Sequence, residues 1–157
     1  AELYLERAKN ELDLAKAIFK ISNTGSLKLE LELKEESTYY SNVIANAYYC
    51  IFFSAKSLME KKNISTNPPE EHRKTLDEFE RLTKKGEIDL DLLRIYKSIV
   101  VKADELLGIF IKEKSKRGKF TYKKLPQANL EPAMESLTNA EKFYKNINLL
   151  IKGKSKE

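Results

Sequence analysis

Apolar residues recur at spacings of three and four along most of this chain, and the places where that rhythm fails mark its turns. From about Glu2 to Ile21 the stripe is Leu5, Ala8, Leu12, Ala15 and Phe19, which predicts an amphipathic helix. Ser22-Asn23-Thr24-Gly25-Ser26 then breaks it with turn-forming residues. A second helix is predicted from about Ser37 to Lys62, with Ser37 or Thr38 as a cap for an orphan backbone N–H. Its apolar positions run from Tyr40 through Val43, Ile44, Ala47, Tyr48, Ile51, Ala55 and Leu58 to Met59, widened by Tyr49, Phe52 and Phe53. A helix apolar over so much of its circumference belongs at the centre of a bundle.

Asn67-Pro68-Pro69-Glu70-Glu71 leads into a short third helix anchored by Leu76, Phe79 and Leu82 and stopped at Gly86. A fourth, from about Asp89 to Lys114, aligns Leu92, Ile95, Tyr96, Ile99, Ala103, Leu106 and Phe110. A fifth, from about Leu130 to Ile151 with Asn129 as N-cap, aligns Leu130, Met134, Leu137, Ala140, Tyr144, Ile147 and Ile151. Residues 152–157 are polar and expected to fray. Long amphipathic helices with short connections predict an all-α fold, an antiparallel four-helix up-and-down bundle with an additional short helix, forming one domain over residues 1–157.

One segment fits poorly. Leu27-Lys28-Leu29-Glu30-Leu31-Glu32-Leu33-Lys34 alternates with period two, as a strand would, yet Leu, Lys and Glu favour helices and no partner strand is evident. A helical extension, a loop and an edge pairing with another chain all remain open, and residues 27–36 are taken as an irregular insertion.

Composition narrows the class. Among 157 residues there is one cysteine, Cys50, inside an apolar run, and one histidine, His72. A single cysteine forms no internal disulfide, and one Cys with one His does not make a structural zinc site. No apolar run approaches the ~20 residues of a membrane span, and Ala1-Glu2-Leu3-Tyr4 lacks a signal-peptide layout. A cytoplasmic protein without metal, cofactor or membrane attachment is expected. No phosphate-cradling glycine loop, paired-carboxylate motif or Ser/His/Asp constellation is visible.

Charge is uneven. Residues 112–124 hold seven basic side chains and one acid, a net +6, in a chain whose total is +5. An anionic partner would meet Lys112, Lys114, Lys116, Arg117, Lys119, Lys123 and Lys124 first.

Four features taken together resemble the HEPN family of small helical-bundle proteins. They are the aromatic and alanine-containing helix from Asn46 to Leu58, His72 opening the next helix with Phe79 following, Arg117-Gly118-Lys119-Phe120-Thr121-Tyr122, and Ala140-Glu141-Lys142-Phe143 in the last helix. The resemblance covers roughly Ser37 to Ile151. It implies a homodimer, pairing with a minimal nucleotidyltransferase in a toxin–antitoxin-like system, and in many members metal-independent RNA cleavage by an arginine and a histidine four to six positions later. The chain departs from that pattern. Gly118 follows Arg117, and Tyr122 stands at the histidine's place. Moving a 2′-hydroxyl proton calls for a group titrating near neutrality, whereas a phenol ordinarily titrates near 10.

The resemblance thus nominates Arg117 and Tyr122 as catalytic residues, and the charge pattern nominates Lys114, Lys116, Lys119, Lys123 and Lys124 as nucleotide or RNA ligands. Arg117 offers a planar donor fork for phosphate, or is a solvated loop cation. Tyr122 stacks on a base, or anchors its loop; Phe120 packs, or stacks. The lysines track a nucleic-acid backbone, or simply solvate a face. His72 is a general base, or caps a surface helix. Three functions follow: an RNA- or nucleotide-binding component of a nucleotidyltransferase pair without strong catalysis of its own, a metal-independent endoribonuclease toxin, or a protein-interaction module.

Overall fold

The computed structural model describes residues 1–107 and 129–153. Among them are six helices and no strand: α1 (Glu2–Ser22), α2 (Gly25–Glu30), α3 (Tyr40–Lys61), α4 (Glu71–Lys84), α5 (Leu90–Leu107) and α6 (Leu130–Lys152). The protein is an all-α bundle in which α1, α3 and α6 pack on one another.

Helix α3 is central, as its apolar breadth predicts: every residue from Cys50 to Met59 is buried, and it touches α1, α4, α5 and α6. Tyr4 stacks on Phe53, Asn46 donates to Glu11 at 2.6 Å, and Phe19 meets Tyr40, so α1 and α3 run in opposite directions. Phe143 of α6 lies between Phe79 of α4 and Tyr96 of α5, with ring centroids 5.3 and 5.7 Å away. A smaller apolar cluster of Ala15, Tyr40, Val43, Ile44 and Ala133 closes the end where α1 stops and α6 begins. No helix among the described residues is long and apolar enough to cross a membrane.

Three helices end alike. Glu32, Asn63 and Gly86 take left-handed φ values of 62°, 59° and 83°. In each case the next residue's N–H returns to the helix: Leu33 to Lys28, Ile64 to Met59 and Glu87 to Leu82. These paired returns satisfy the last carbonyls. Of the three, only Gly86 is a residue to which left-handed backbone comes without steric cost.

Several expectations are corrected. The alternating segment, open between helical extension, loop and edge, is helical over residues 27–30 as the end of α2 and irregular beyond it, and its polarity is inverted, with Lys28 buried and Leu29 78% exposed. The Lys28 ammonium donates to the carbonyls of Ser22, Glu35 and Ser37 at 3.2, 2.5 and 3.0 Å, and so ties residues 31–37 back to the end of α1. Helix α3 starts at Tyr40 rather than Ser37, without a side-chain cap. Ser37 gives its carbonyl to Lys28 and Tyr39 gives its N–H to the Ser22 hydroxyl, which holds both out of the helix. Asn129 occupies the N-cap of α6, again with no side-chain cap bond. The buried face of α6 is Ala133, Ser136, Ala140, Phe143, Ile147 and Ile151; Met134 is 42% exposed. Lys152, expected in the frayed tail, is helical. Helix α5 is described as far as Leu107, where Leu106 is 37% exposed rather than part of the stripe. Phe110 lies outside the described residues.

Candidate functional site

The residues nominated from sequence, Arg117, Tyr122, Lys114, Lys116, Lys119, Lys123 and Lys124, with Phe120 beside them, lie outside the described residues. The described residues stop at Leu107 and resume at Asn129, which is buried ahead of α6.

Within the described residues the chemistry gathers where α4 starts against α3. Positions 45, 48, 49, 52, 53 and 56 of a helix share a broad face, and here it carries Tyr48, Tyr49, Phe52, Phe53 and Lys56 toward α1 and α4. His72, in the first turn of α4, is not the surface cap its acidic and basic neighbours suggest. Its ring stacks on Phe52 with centroids 4.0 Å apart and meets the edge of Tyr49. Its Nδ1 is 2.8 Å from the Tyr48 hydroxyl. The aromatic face of α3 draws the imidazole inward because stacking and the phenol partner together offset its desolvation.

Burial sets the protonation states. It lowers the His72 pKa below its ordinary value, with Glu71 opposing and Lys56 reinforcing the shift. It raises that of Tyr48 strongly, helped by Tyr96, Tyr49, Asp104 and Glu71. A protonated phenol thus faces a neutral imidazole. The stronger donor is the phenol O–H and the stronger acceptor is the imine nitrogen. Which of the two donates across the 2.8 Å contact follows the ring's tautomer.

Beside this joint lies a second polar group that the sequence reading passed over. Lys56 is 5% exposed on a fully buried stretch of α3. Its ammonium donates to the Thr66 carbonyl and hydroxyl, both at 3.2 Å, and pairs with Glu71 at 3.6 Å. Thr75 donates to the Glu71 carbonyl at 2.7 Å and lies 3.0 Å from the Thr66 hydroxyl, joining α4 to the turn before it. The lone cation inside the run from Cys50 to Met59 was the available signal. A lysine there is buried only if paired.

A cavity of about 280 Å³ opens next to Lys56, between the Tyr4 ring and the turn that follows α3. The Lys56 ammonium is 5.5 Å from the Tyr4 ring centre, and the Arg7 guanidinium lies 4.2 Å over Phe53. No cluster of three His, Cys, Asp or Glu side chains among the described residues could hold a metal ion. Cys50 is buried, its thiol pushed up to about 12 by desolvation.

No family model, curated protein or solved structure matches this chain.

Proposed function

We propose that the protein is a HEPN-type module that binds RNA or a nucleotide through Arg117, Lys114, Lys116, Lys119, Lys123 and Lys124. Tyr122 stacks or donates beside them. In this reading the chain is an antiparallel four-helix up-and-down bundle with an extra short helix. It works as a homodimer in a toxin–antitoxin-like pair with a minimal nucleotidyltransferase, without strong catalysis of its own.

One observation carries the reading: a net +6 concentrated in residues 112–124. Non-specific attraction for polyanions scales with such local charge. Two further facts favour binding over cleavage. The resemblance places a tyrosine where the nuclease histidine would stand. The chain's one imidazole is half-buried on Phe52 and held by Tyr48 in the joint between α3 and α4.

Fluorescence anisotropy with a labelled single-stranded RNA tests the proposal. Five or six phosphate contacts give log affinity a slope of about −4 against log salt. Affinity therefore falls roughly 200-fold between 50 and 200 mM salt. Arg117→Ala costs about 10-fold, more than Lys119→Ala, because a bidentate fork is lost rather than a point charge. RNA incubated with the protein in EDTA stays intact. No RNA or nucleotide binding at 50 mM salt refutes the binding reading. Cleavage in EDTA that Arg117→Ala abolishes replaces it with the nuclease reading.

A further inference from the structure

The cavity beside Lys56 has a lining with a definite chemical character. Met59 and Ile64 give it an apolar floor, and the Tyr4 ring forms a wall. Asn63, Ser65 and Asn67, all exposed, supply a rim of amide and hydroxyl groups. Of its two charged members, Lys56 is paired with Glu71, and Glu60 contributes a carboxylate, an acceptor rather than a cation. A site whose cation is spent on a protein carboxylate and a protein carbonyl has no surplus charge for a phosphate. An apolar floor, one aromatic wall and neutral donors and acceptors on the rim suit a flat, uncharged heterocycle.

We infer that this cavity receives a single unpaired nucleobase, stacked on Tyr4 and read at its edge by the Asn63 and Asn67 amides.

The backbone that carries the rim is pre-organised. Asn63 is fixed in left-handed backbone by the paired hydrogen bonds that end α3, its N–H going to the Glu60 carbonyl. The Asn67 carbonyl accepts from the Lys74 ammonium at 3.1 Å, and Lys56 anchors Thr66 between the two asparagines. Tyr4 stacks on Phe53 with ring centroids 6.1 Å apart. An edge read by side-chain amides distinguishes bases, because each presents its own order of donors and acceptors. At about 280 Å³ the cavity lies just below the range for drug-sized ligands, room for one base with its sugar left in solvent.

The pocket deepens the RNA-binding reading by giving it a base-selective element, which phosphate contacts alone lack.

Two measurements test it. The first compares labelled oligoadenylate, oligocytidylate and oligouridylate by anisotropy, for the protein and for Asn67→Ala and Tyr4→Leu. The unaltered protein should prefer one homopolymer by about 10-fold, with each variant erasing that preference while the salt slope stays the same. The second titrates unlabelled adenosine, cytidine and uridine into ¹⁵N-labelled protein and follows the side-chain amide signals of Asn63 and Asn67. Uncharged nucleosides owe nothing to the basic segment. Selective movement of these signals supports the pocket even if no oligonucleotide binds, and in that case the reading through Arg117 fails alone. Oligonucleotide binding with no homopolymer preference, unaffected by both variants and with no amide movement, overturns the pocket and leaves that reading standing.

Discussion

Replacing Lys28 by methionine removes the ammonium and keeps most of the stem, which isolates the worth of the three-carbonyl clamp. Hydrogen bonds to a charged group contribute roughly 1.5–3 kcal/mol each. The full sum does not apply. The bonds to Glu35 and Ser37 are only part-buried, so water replaces the ammonium there, whereas the bond to Ser22 is buried and its carbonyl loses its charged donor. A net loss of about 2–4 kcal/mol follows. For a chain of this length that lowers Tm by about 5–15 °C. Urea unfolding followed by circular dichroism measures the global part. Native-state hydrogen exchange locates it: the Leu33 amide, bonded to the Lys28 carbonyl, and the Tyr39 amide, bonded to the Ser22 hydroxyl, should lose protection first. Lys34→Met, at an exposed position, is the control. A Tm within 1 °C of the control together with unchanged exchange at both amides would mean that the ammonium holds nothing.

The histidine joint and the cysteine make two further predictions. In the unfolded chain His72 takes up a proton as pH falls through about 6.5. In the fold burial opposes that proton, so below this pH the unfolded state binds more protons and the joint's contribution, present above it, is lost. The Hε1 resonance should titrate with a midpoint below 6.5, and Tyr48→Phe should raise that midpoint by removing a bond that favours the neutral ring; a lowered midpoint would place the hydrogen on Nδ1 instead. Cys50, fully buried and with its thiol pushed up to about 12, should resist a thiol-specific chromophoric reagent at pH 8 and react at once in urea; rapid reaction without denaturant would show that α3 opens readily.

How far the sequence foretells this fold depends on how each element is stabilised. Helix α3 was legible as the hub because apolar residues wrap it almost completely, and no rival arrangement hides them. Helix α6 was legible as a helix and in the side it turns to the bundle, but not in the centre of that face. Leu130, Leu137 and Tyr144 pack at the margin of the core and Met134 is exposed, while Ala133, Ser136 and Phe143 are buried. The bundle centres that face on Ala133 and Ser136, whose small side chains let α6 close on α3, so that the Cys50 sulfur comes within 4.0 Å of the Ala140 carbonyl. Close approach rewards small residues, and hydropathy does not record it. The excursion after α1 was illegible for the opposite reason. Its decisive contact is a buried cation with three backbone carbonyls, which no periodicity encodes and which inverts the burial of Lys28 and Leu29.

The candidate chemistry divides along the same line. The concentration of positive charge in residues 112–124 is a property of the sequence, and any folding of those residues keeps it within a short arc of chain. The state of His72 is not: its neighbours in sequence, Glu70, Glu71 and Arg73, suggest a solvated helix start, whereas its neighbours in space are Phe52, Tyr48 and Tyr49. This difference bears directly on function. A free imidazole would be the natural stand-in for the absent motif histidine and would keep the nuclease reading strong. An imidazole whose Nδ1 is hydrogen-bonded to a buried phenol and whose face is covered by Phe52 is engaged in holding α4 on α3. The proposed function accordingly assigns this chain the grip on a nucleic acid through its cations and leaves bond-making to the proposed partner.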